Sequence, residues 1–370
     1  MIHLVCVAGA RPNFMKVAPL LRTLNGYPNV QITLVHTGQH YDPLLSDVFF
    51  TDLEIPRPDF HLEVGSGTHG QQTARVMERL EEVLIQLADK GRPVDRVVVV
   101  GDVNSTLGAA LAAAKLQIPV AHVEAGLRSF DRTMPEEINR VLTDAISDLL
   151  FVSEPAGVDN LLREGKPKDQ IHLVGNVMID TLFQLLPRAK ELKTLDRLGL
   201  VPKEFGVVTL HRPSNVDKPE TLGPLMEVLI EVGQDLPMVF PVHPRTQKRL
   251  ESFGLISGAS GSNGRGLRLL PPLGYLEFLS LTSQAKVIVT DSGGLQEEAT
   301  ALGIPCLTAR WNTERPITVE QGTSTLVGND PKLLREKLCE VVEGRYKQGK
   351  CPELWDGKAA HRIAEILLRT

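Results

Sequence analysis

Carboxylates follow several of the apolar runs in the first half of this chain. Asp102 follows RVVVVG, Glu124 ends IPVAHVE, and Glu136 begins a helical pattern behind Pro135. General acid–base chemistry uses such groups, because burial and neighbouring charges can separate their pKa values. Glu136 also has a simpler explanation, since proline followed by glutamate is ordinary first-turn helix sequence. Glu124 fits that explanation less well, because a carboxylate at the end of a buried strand is costly unless it is paired.

Cations and histidines stand at comparable positions. GARPNFMK follows the first apolar run and contains Arg11 and Lys16, and Arg140 lies one helical turn after Glu136. A basic pair on an exposed turn is commonly no more than solvated. A lone histidine is more often structural, but four histidines at strand ends occupy the place where α/β folds bind ligands. These four are His36, His40, His211 and His243. Their spacing gives neither HxH nor HExxH, so we expect no metal site.

The segment TDSGGLQEEA follows a further strand candidate, AKVIV. Its glycines would let backbone N–H groups approach an anion, and the helix that follows would add the positive end of its dipole. Ser292, Gly293 and Gly294 are therefore candidate phosphate ligands, and Glu297 or Glu298 could reach a ribose. Ordinary helix capping by the Asp or Ser before the glycines explains the same residues equally well from spacing alone.

Short β-branched runs alternate with amphipathic or Ala/Leu-rich segments along the whole chain. This alternation predicts parallel sheets covered by helices on both faces. RVVVVGDVNSTLGAALAAAKLQIPVAHVEAG and AKVIVTDSGGLQEEATALGIPCLTARW share the order strand, polar turn, helix, Ile-Pro, strand. We therefore predict two Rossmann-like doubly wound parallel-sheet domains facing a central cleft, into which the residues after the strands would point.

The length of 370 residues exceeds one average domain. We place the first domain at residues 1–178 and the second at 179–355. The boundary between them falls within a helical stretch that ends in a turn. The amphipathic C-terminal segment 356–370 is predicted to pack back onto the first domain. The Gly/Ser-rich segment 257–266 is predicted to be a surface loop rather than a domain boundary.

Composition narrows the function classes. The net charge of −5 gives no reason to expect nucleic acid as a partner. Four cysteines without CxxC spacing indicate a reducing compartment and no disulfide framework. The first apolar run is predicted to be a strand rather than a signal peptide. No apolar run approaches the length of about 18 residues expected of a membrane span. We therefore expect a cytoplasmic globular protein that binds no membrane.

Taken in order, the motifs of this chain resemble those of the non-hydrolysing UDP-N-acetylglucosamine 2-epimerases. The matching segments cover nearly the whole chain: GARPNFMKVAPL, TGQHYD, GDVNST, HVEAGLRS, PEEINR, VGNVMID, TLHRPSN, TDSGGLQEEA and TERPITVEQGT. The resemblance implies the glycosyltransferase-B fold and a cytoplasmic homodimer that binds a UDP-sugar substrate and UDP. It implies C2 epimerisation of UDP-N-acetylglucosamine to UDP-N-acetylmannosamine for cell-surface polysaccharide synthesis. The implied mechanism is elimination of UDP to 2-acetamidoglucal followed by re-addition, without cofactor or metal.

The resemblance also implies residue roles. The implied catalytic residues are Asp102, Glu124, Glu136, His211, Lys16 and Arg140. The three carboxylates would be the acid–base groups, and the histidine would lie close to the leaving diphosphate. The implied UDP contacts are Arg11, Phe278, Ser292, Gly293, Gly294, Glu298 and Arg315. Among these, Glu298 would bind the ribose, Phe278 would lie near the uracil, and Arg315 would lie near the phosphates.

A possible effector site is also implied, since bacterial relatives bind a second, activating substrate molecule. Gln39, His40 and His243 match that region. HRPSN stands here where many bacterial members have His-Arg-x-Glu-Asn, and QHYD stands where many have Gln-His-Arg. We therefore expect activation by a second substrate molecule to differ in this chain.

Four alternatives share these features. The chain could act on a modified UDP sugar, a UDP-2,3-diacetamido uronic acid. It could be a glycosyltransferase of the same fold, a hydrolysing epimerase, or a nucleotide-sugar binder without activity. Exchange of the C2 hydrogen in deuterated water would separate epimerisation from mere binding.

Overall fold

In the computed structural model of the protein, the described residues are 1–38, 53–255 and 266–370. Gln39, His40 and nearly all of the predicted loop 257–266 lie outside them. No helix within the described ranges is long and apolar enough to cross a membrane.

The chain divides into two compact units. The first comprises Met1–Phe183 together with Glu353–Thr370, and the second comprises Gln184–Pro352. The boundary at residue 178 that we predicted from the sequence lies inside the helix Val177–Glu191. This helix begins in the first unit and ends in the second.

The described residues of the first unit contain a seven-stranded sheet. Its strands in chain order are β1 Ile2–Ala8, β2 Val30–His36, β3 Phe60–His61, β4 Arg96–Val100, β5 Val120–Ala125, β6 Leu149–Val152 and β7 Ile171–Leu173. Their spatial order is β3-β2-β1-β4-β5-β6-β7, and neighbouring strands are parallel. The order reverses between β1 and β4, which is where doubly wound sheets place ligands.

Helices cover both faces of this sheet. They are α1 Arg11–Leu24, α2 His69–Asp89, α3 Asn104–Lys115, α4 Pro135–Ile146, α5 Pro155–Arg163 and α6 Val177–Glu191, with a 3₁₀ turn at Lys168–Gln170. Alternate residues of a strand point to opposite faces of a sheet. Val5 and Val7 of β1 and Val97 and Val99 of β4 accordingly share one core with apolar residues of α2 and α3.

The described residues of the second unit contain a six-stranded parallel sheet. Its strands are β8 Gly206–Thr209, β9 Met238–Pro241, β10 Leu267–Leu270, β11 Val287–Thr290, β12 Cys306–Thr308 and β13 Ser324–Leu326. Their order, β10-β9-β8-β11-β12-β13, repeats that of the first unit. The strands β8 and β11 therefore correspond to β1 and β4, and a second switch point lies between them.

The helices of the second unit are α7 Thr194–Leu198, α8 Pro213–Val216, α9 Pro219–Val232, α10 Pro244–Ser252, α11 Tyr275–Thr282, α12 Gly293–Ala301, α13 Ile317–Glu320 and α14 Pro331–Val342. Val287 and Val289 of β11 belong to one core cluster, and Ile288 belongs to the cluster on the other face. Strands buried on both faces have continuous apolar sequences, which explains the pattern in the sequence.

A last helix, α15 Ala359–Leu367, belongs to the first unit. It packs against α1. Asp180 of α6 caps it by accepting hydrogen bonds from the backbone N–H groups of Ala359 (3.1 Å) and Ala360 (2.7 Å). The buried Trp355 before it donates from Nε1 to the carbonyl oxygen of Ser153 at 3.0 Å.

Candidate functional site

Lys16 and Glu124 form a buried ion pair at the switch point of the first unit. Their side chains are only 8% and 7% exposed. Gly101, directly after β4, lies against both: a Cβ atom there would be 2.8 Å from Lys16 Nζ and 3.6 Å from Glu124 Oε2. Its φ of +67° also favours glycine. The ion pair offsets the cost of burying the carboxylate, and the glycine leaves room for it.

Glu124 stands at a bulge in β5. Val123 pairs with Phe151 of β6 and Ala125 with Val152, so Glu124 is the extra residue between them. Its φ is +75°, a value that side chains other than glycine rarely adopt. Bulges re-aim a side chain, and such strain persists mainly where the surrounding structure enforces it, often at functional sites.

Asp102 and Arg140 form a second pair beside the first. Arg140 of α4 donates from Nε to Asp102 Oδ2 at 2.9 Å, and Asn139 donates to the Asp102 carbonyl oxygen at 2.8 Å. The Asp102 side chain is 27% exposed, whereas Arg140 is buried. Since Asp102 directly follows Gly101, the two ion pairs are neighbours. Four of the six predicted catalytic residues thus lie together.

Glu136 and Glu137 differ in what they contact. The buried Glu137 pairs with Arg140 and accepts backbone hydrogen bonds from Ser129 (2.9 Å) and Phe130 (2.8 Å). It therefore holds the loop before α4. Glu136 is half-buried in the first turn of α4. Within residues 1–38, 53–255 and 266–370, no hydrogen bond or ion pair engages its carboxylate.

A buried network lies behind Glu124. His122, two residues earlier on β5, places Nδ1 2.6 Å from Asp144 Oδ1 and Nε2 2.8 Å from the Gly101 carbonyl oxygen. Arg128 pairs with the other Asp144 oxygen at 2.7 Å. Burial acts to raise the pKa of Asp144, but His122 and Arg128 hold it below its ordinary value. This support of Gly101 was not predicted from the sequence, in which its one signal is a histidine inside an apolar strand.

His211 and Asp291 meet at the switch point of the second unit. The fully buried Asp291 accepts from His211 Nδ1 at 2.8 Å, from the backbone N–H groups of His211 and Arg212 (both 2.9 Å), and from Asn215 Nδ2 at 3.0 Å. Burial acts to raise the pKa of Asp291, but these partners hold it below its ordinary value. With Nδ1 engaged, Nε2 is the ring nitrogen of His211, a side chain 45% exposed, that remains for a ligand.

The N-terminus of α12 has no side-chain cap. Ser292 occupies the N-cap position without a capping hydrogen bond, and the first turn contains no acidic residue. The capping explanation that the sequence allowed is therefore wrong. Arg315 approaches the first residue of the helix, since its Nη1 lies 3.1 Å from the position of a Cβ atom on Gly293. An uncapped helix start beside a guanidinium is suited to an anion.

Buried carboxylates hold Arg315 in place. Glu297 Oε1 lies 2.7 Å from its Nε, and Glu314 Oε1 lies 2.7 Å from its Nη1. Glu314 also pairs with Arg310 at 2.8 Å. All four side chains are at least nine-tenths buried. Of the two glutamates that the sequence offered for a ribose, Glu297 is thus committed to Arg315.

Glu298 is buried in α12 and accepts a hydrogen bond from the Tyr275 hydroxyl at 3.0 Å. Burial raises its pKa to about 7; the Tyr275 hydrogen bond opposes this, and neighbouring Glu297 adds to it. Phe278, one turn after Tyr275 on α11, is half-buried and packs against the core cluster that contains Leu295 of α12. The predicted ribose and uracil contacts therefore lie where α11 meets α12.

The remaining predicted residues are described only in part. Arg11 begins α1, and its side chain lies outside the described part of the structure. His243 caps α10 by accepting from the Arg245 N–H at 3.2 Å, and its ring lies 6.4 Å from that of His211. Gln39 and His40 of the possible effector site fall outside the described residues. In the ranges the structure describes, no three His, Cys, Asp or Glu side chains could together hold a metal ion.

Comparisons with known proteins point to one family over nearly the whole chain. A family model described as UDP-N-acetylglucosamine 2-epimerase matches residues 22–368. The UDP-N-acetylglucosamine 2-epimerase of Methanocaldococcus jannaschii is 43% identical over 372 residues, covering 99% of both chains. The UDP-2,3-diacetamido-2,3-dideoxy-D-glucuronate 2-epimerase of Pseudomonas aeruginosa is 39% identical over 372 residues, covering all of both chains.

Solved structures agree as well. The crystal structure of the Methanocaldococcus jannaschii UDP-GlcNAc 2-epimerase in complex with UDP-GlcNAc and UDP covers all of both chains with a TM-score of 0.86 and 42% identity. The predicted class of two doubly wound parallel-sheet domains, of the glycosyltransferase-B type, is confirmed. From the extent of the family match and the identity to these relatives, the chain belongs to the UDP-N-acetylglucosamine 2-epimerase family of isomerases.

Proposed function

We propose that this protein interconverts UDP-N-acetylglucosamine and UDP-N-acetylmannosamine by epimerisation at C2. The observation that most supports this is the buried Glu124, held by a bulge and paired with Lys16, beside Asp102 and its partner Arg140. A glycosyltransferase needs one base for its acceptor. A set of carboxylates is what proton transfer at C2 of a sugar requires.

The reaction would proceed in two balanced steps. In the first, a carboxylate takes the C2 proton, a double bond forms between C1 and C2, and the C1–O bond to UDP breaks with its electron pair on the UDP oxygen. In the second, that oxygen attacks C1 of the 2-acetamidoglucal and a proton returns to C2 from the other face. Asp102, Glu124 and Glu136 are the proposed proton-transfer groups. Lys16 and Arg140 would hold two of these carboxylates in position.

The second unit would hold UDP through both steps, because the nucleotide must not escape before re-addition. The uncapped start of α12 and Arg315 are the proposed phosphate ligands. Glu298 would bind the ribose and Phe278 the uracil. His211 would act on the leaving oxygen through Nε2, since Asp291 engages its Nδ1.

The deciding experiment measures the C2 hydrogen in deuterated water by proton NMR. We expect deuterium at C2 in step with the appearance of UDP-N-acetylmannosamine. Nucleotide binding without exchange would reduce the protein to a binding module. Free UDP accumulating in equal amount with free N-acetylmannosamine would indicate a hydrolysing enzyme, and transfer of sugar to an added acceptor would indicate a glycosyltransferase.

Glu124→Gln should lower both exchange and turnover by at least about 100-fold, because it removes a proton acceptor without removing volume. Glu54→Gln is the matched control, since Glu54 has a similar φ of +55° but a carboxylate that is 58% exposed. Circular dichroism and thermal unfolding would verify the fold of both variants. Near-normal exchange by folded Glu124→Gln would remove Glu124 from the chemistry.

A second candidate substrate is a UDP-2,3-diacetamido uronic acid, and the relative from Pseudomonas aeruginosa supports including it. The exchange experiment should therefore be run on both sugars and the two values of kcat/KM compared. The resemblance to the family further supports a cytoplasmic homodimer that supplies cell-surface polysaccharide synthesis, which we include in the proposal.

A further inference from the structure

Glu298 differs from Glu297, the other buried carboxylate of α12, in the partner that it contacts. It is 5% exposed. The hydrogen bond from Tyr275, at 3.0 Å, is the one side-chain contact of this kind that it receives from the described residues. Its neighbour Glu297 is paired with a guanidinium, whereas Glu298 has a neutral phenol. A buried carboxylate usually has a cation or several donors, because desolvation is costly.

The environment of Glu298 fits a group that awaits donors. Burial raises its pKa to about 7 even though the tyrosine hydrogen bond acts in the other direction. A carboxylate has acceptor positions for about four hydrogen bonds, and one phenol fills only one of them. The two adjacent hydroxyls of a ribose would supply further donors, and the phenol would remain in place.

We propose that Tyr275 is a positioning residue that orients Glu298 toward the ribose and so makes the site selective for ribonucleotides over 2′-deoxyribonucleotides. This inference rests on the proposed function, because it requires UDP to bind at the start of α12. Tyr275 touches none of the reacting atoms, and its effect would be on binding.

The packing of α11 explains why the phenol is a suitable anchor. Tyr275 is the first residue of α11, and Phe278 follows three residues later on the same face. Phe278 packs into the core cluster that contains Leu295 of α12, so α11 is fixed against α12 at this point. A tyrosine has two side-chain torsions to immobilise, whereas a glutamate carboxylate has three. The more rigid partner therefore fixes the more flexible one.

Tyr275→Phe, which removes a single oxygen atom, is the test. Titration calorimetry on the full chain would compare UDP with 2′-deoxy-UDP. We expect the wild type to prefer UDP and Tyr275→Phe to bind UDP about tenfold more weakly, with a loss of most of that preference. KM for UDP-N-acetylglucosamine should rise while kcat stays within about twofold, since the contact is the same in the ground state and the transition state.

Tyr346→Phe is the matched control. Tyr346 is also half-buried in the second unit, and its hydroxyl contacts Thr325 Oγ1 at 2.6 Å. It should leave both affinities unchanged. Glu298→Gln should lose the preference for UDP and provides the positive control for the ribose contact.

The outcomes separate the two proposals. Folded Tyr275→Phe could keep the wild-type ratio of affinities for UDP and 2′-deoxy-UDP while Glu298→Gln loses it. That result would overturn the role of Tyr275 and leave the proposed function standing. A wild type that binds UDP and 2′-deoxy-UDP equally would also overturn the inference. Failure of the wild type to bind UDP or to exchange the C2 hydrogen would overturn the proposed function, and this inference with it.

Discussion

A buried aspartate determines which ring nitrogen of His211 remains available to a ligand. Asp291 accepts a hydrogen bond from Nδ1 and is itself held by two backbone N–H groups and Asn215. In the proposed reaction the imidazole would exchange a proton through Nε2, and the carboxylate would stabilise the ring while it is charged. The same division of roles is used wherever a carboxylate orients a catalytic histidine.

Asp291→Asn should lower kcat by about 100-fold or more, because an amide can donate to Nδ1 and thereby favour the tautomer with its proton on Nε2. Nitrogen-15 NMR of labelled histidine would show this change of tautomer directly. Asp330→Asn is the control: Asp330 caps α14 through the Lys332 N–H at 2.8 Å, and no part of the proposed site depends on it. If Asp291→Asn changed neither the tautomer of His211 nor kcat, the role of Asp291 in orienting His211 would be contradicted.

In each of the pairs His211–Asp291 and Glu298–Tyr275, the sequence predicted one residue as a site residue but not its contact with the other. Strand-end position singled out His211, and the family resemblance selected Glu298 over Glu297, but Asp291 and Tyr275 are distant along the chain from the groups they contact. Which distant residue meets which depends on the strand order, which a single sequence does not display. The catalytic roles themselves stay predictions.

The ends of strands place the candidate groups, and small backbone irregularities aim them. Gly101 leaves β4 with positive φ and without a Cβ, and the bulge of β5 turns Glu124 toward Lys16. The apolar runs predicted both strands, because strands covered on two faces must be continuously apolar. The bulge was not predictable, since it exists only in the register between β5 and β6.

Gly101→Ala should lower the rate of C2 hydrogen exchange by about 10- to 100-fold, because the new methyl group would lie 2.8 Å from Lys16 Nζ and move it away from Glu124. Gly91→Ala is a closely matched control: its φ is +71°, and a Cβ there would meet nothing within 4 Å. Both variants should lose about 1 kcal/mol of stability to the strained φ, and Gly101→Ala should lose more because it also disturbs a buried ion pair; denaturant unfolding would measure both. Equal activity in the two variants would show that the space around Gly101 is not needed.

At the scale of the molecule, one strand order occurs twice. Each unit has its candidate groups at its own switch point, and the two switch points are equivalent. The similarity of the two long segments in the sequence corresponds to this: β4 with α3 in one unit is equivalent to β11 with α12 in the other. After the second unit, Glu353–Thr370 returns to the first. Asp180, by capping α15, holds this C-terminal segment against the first unit.

Asp180→Ala should destabilise the first unit by about 1–2 kcal/mol, the usual cost of losing a helix cap. Hydrogen exchange measured by mass spectrometry should show faster exchange in α15, with α14 of the second unit unchanged. Asp330→Ala, which removes the cap of α14, should give the opposite pattern and serves as the control. Because each unit has its own core, loss of one cap should loosen one unit alone. Equal acceleration of exchange in α14 and α15 by Asp180→Ala would instead show that the two units unfold as one.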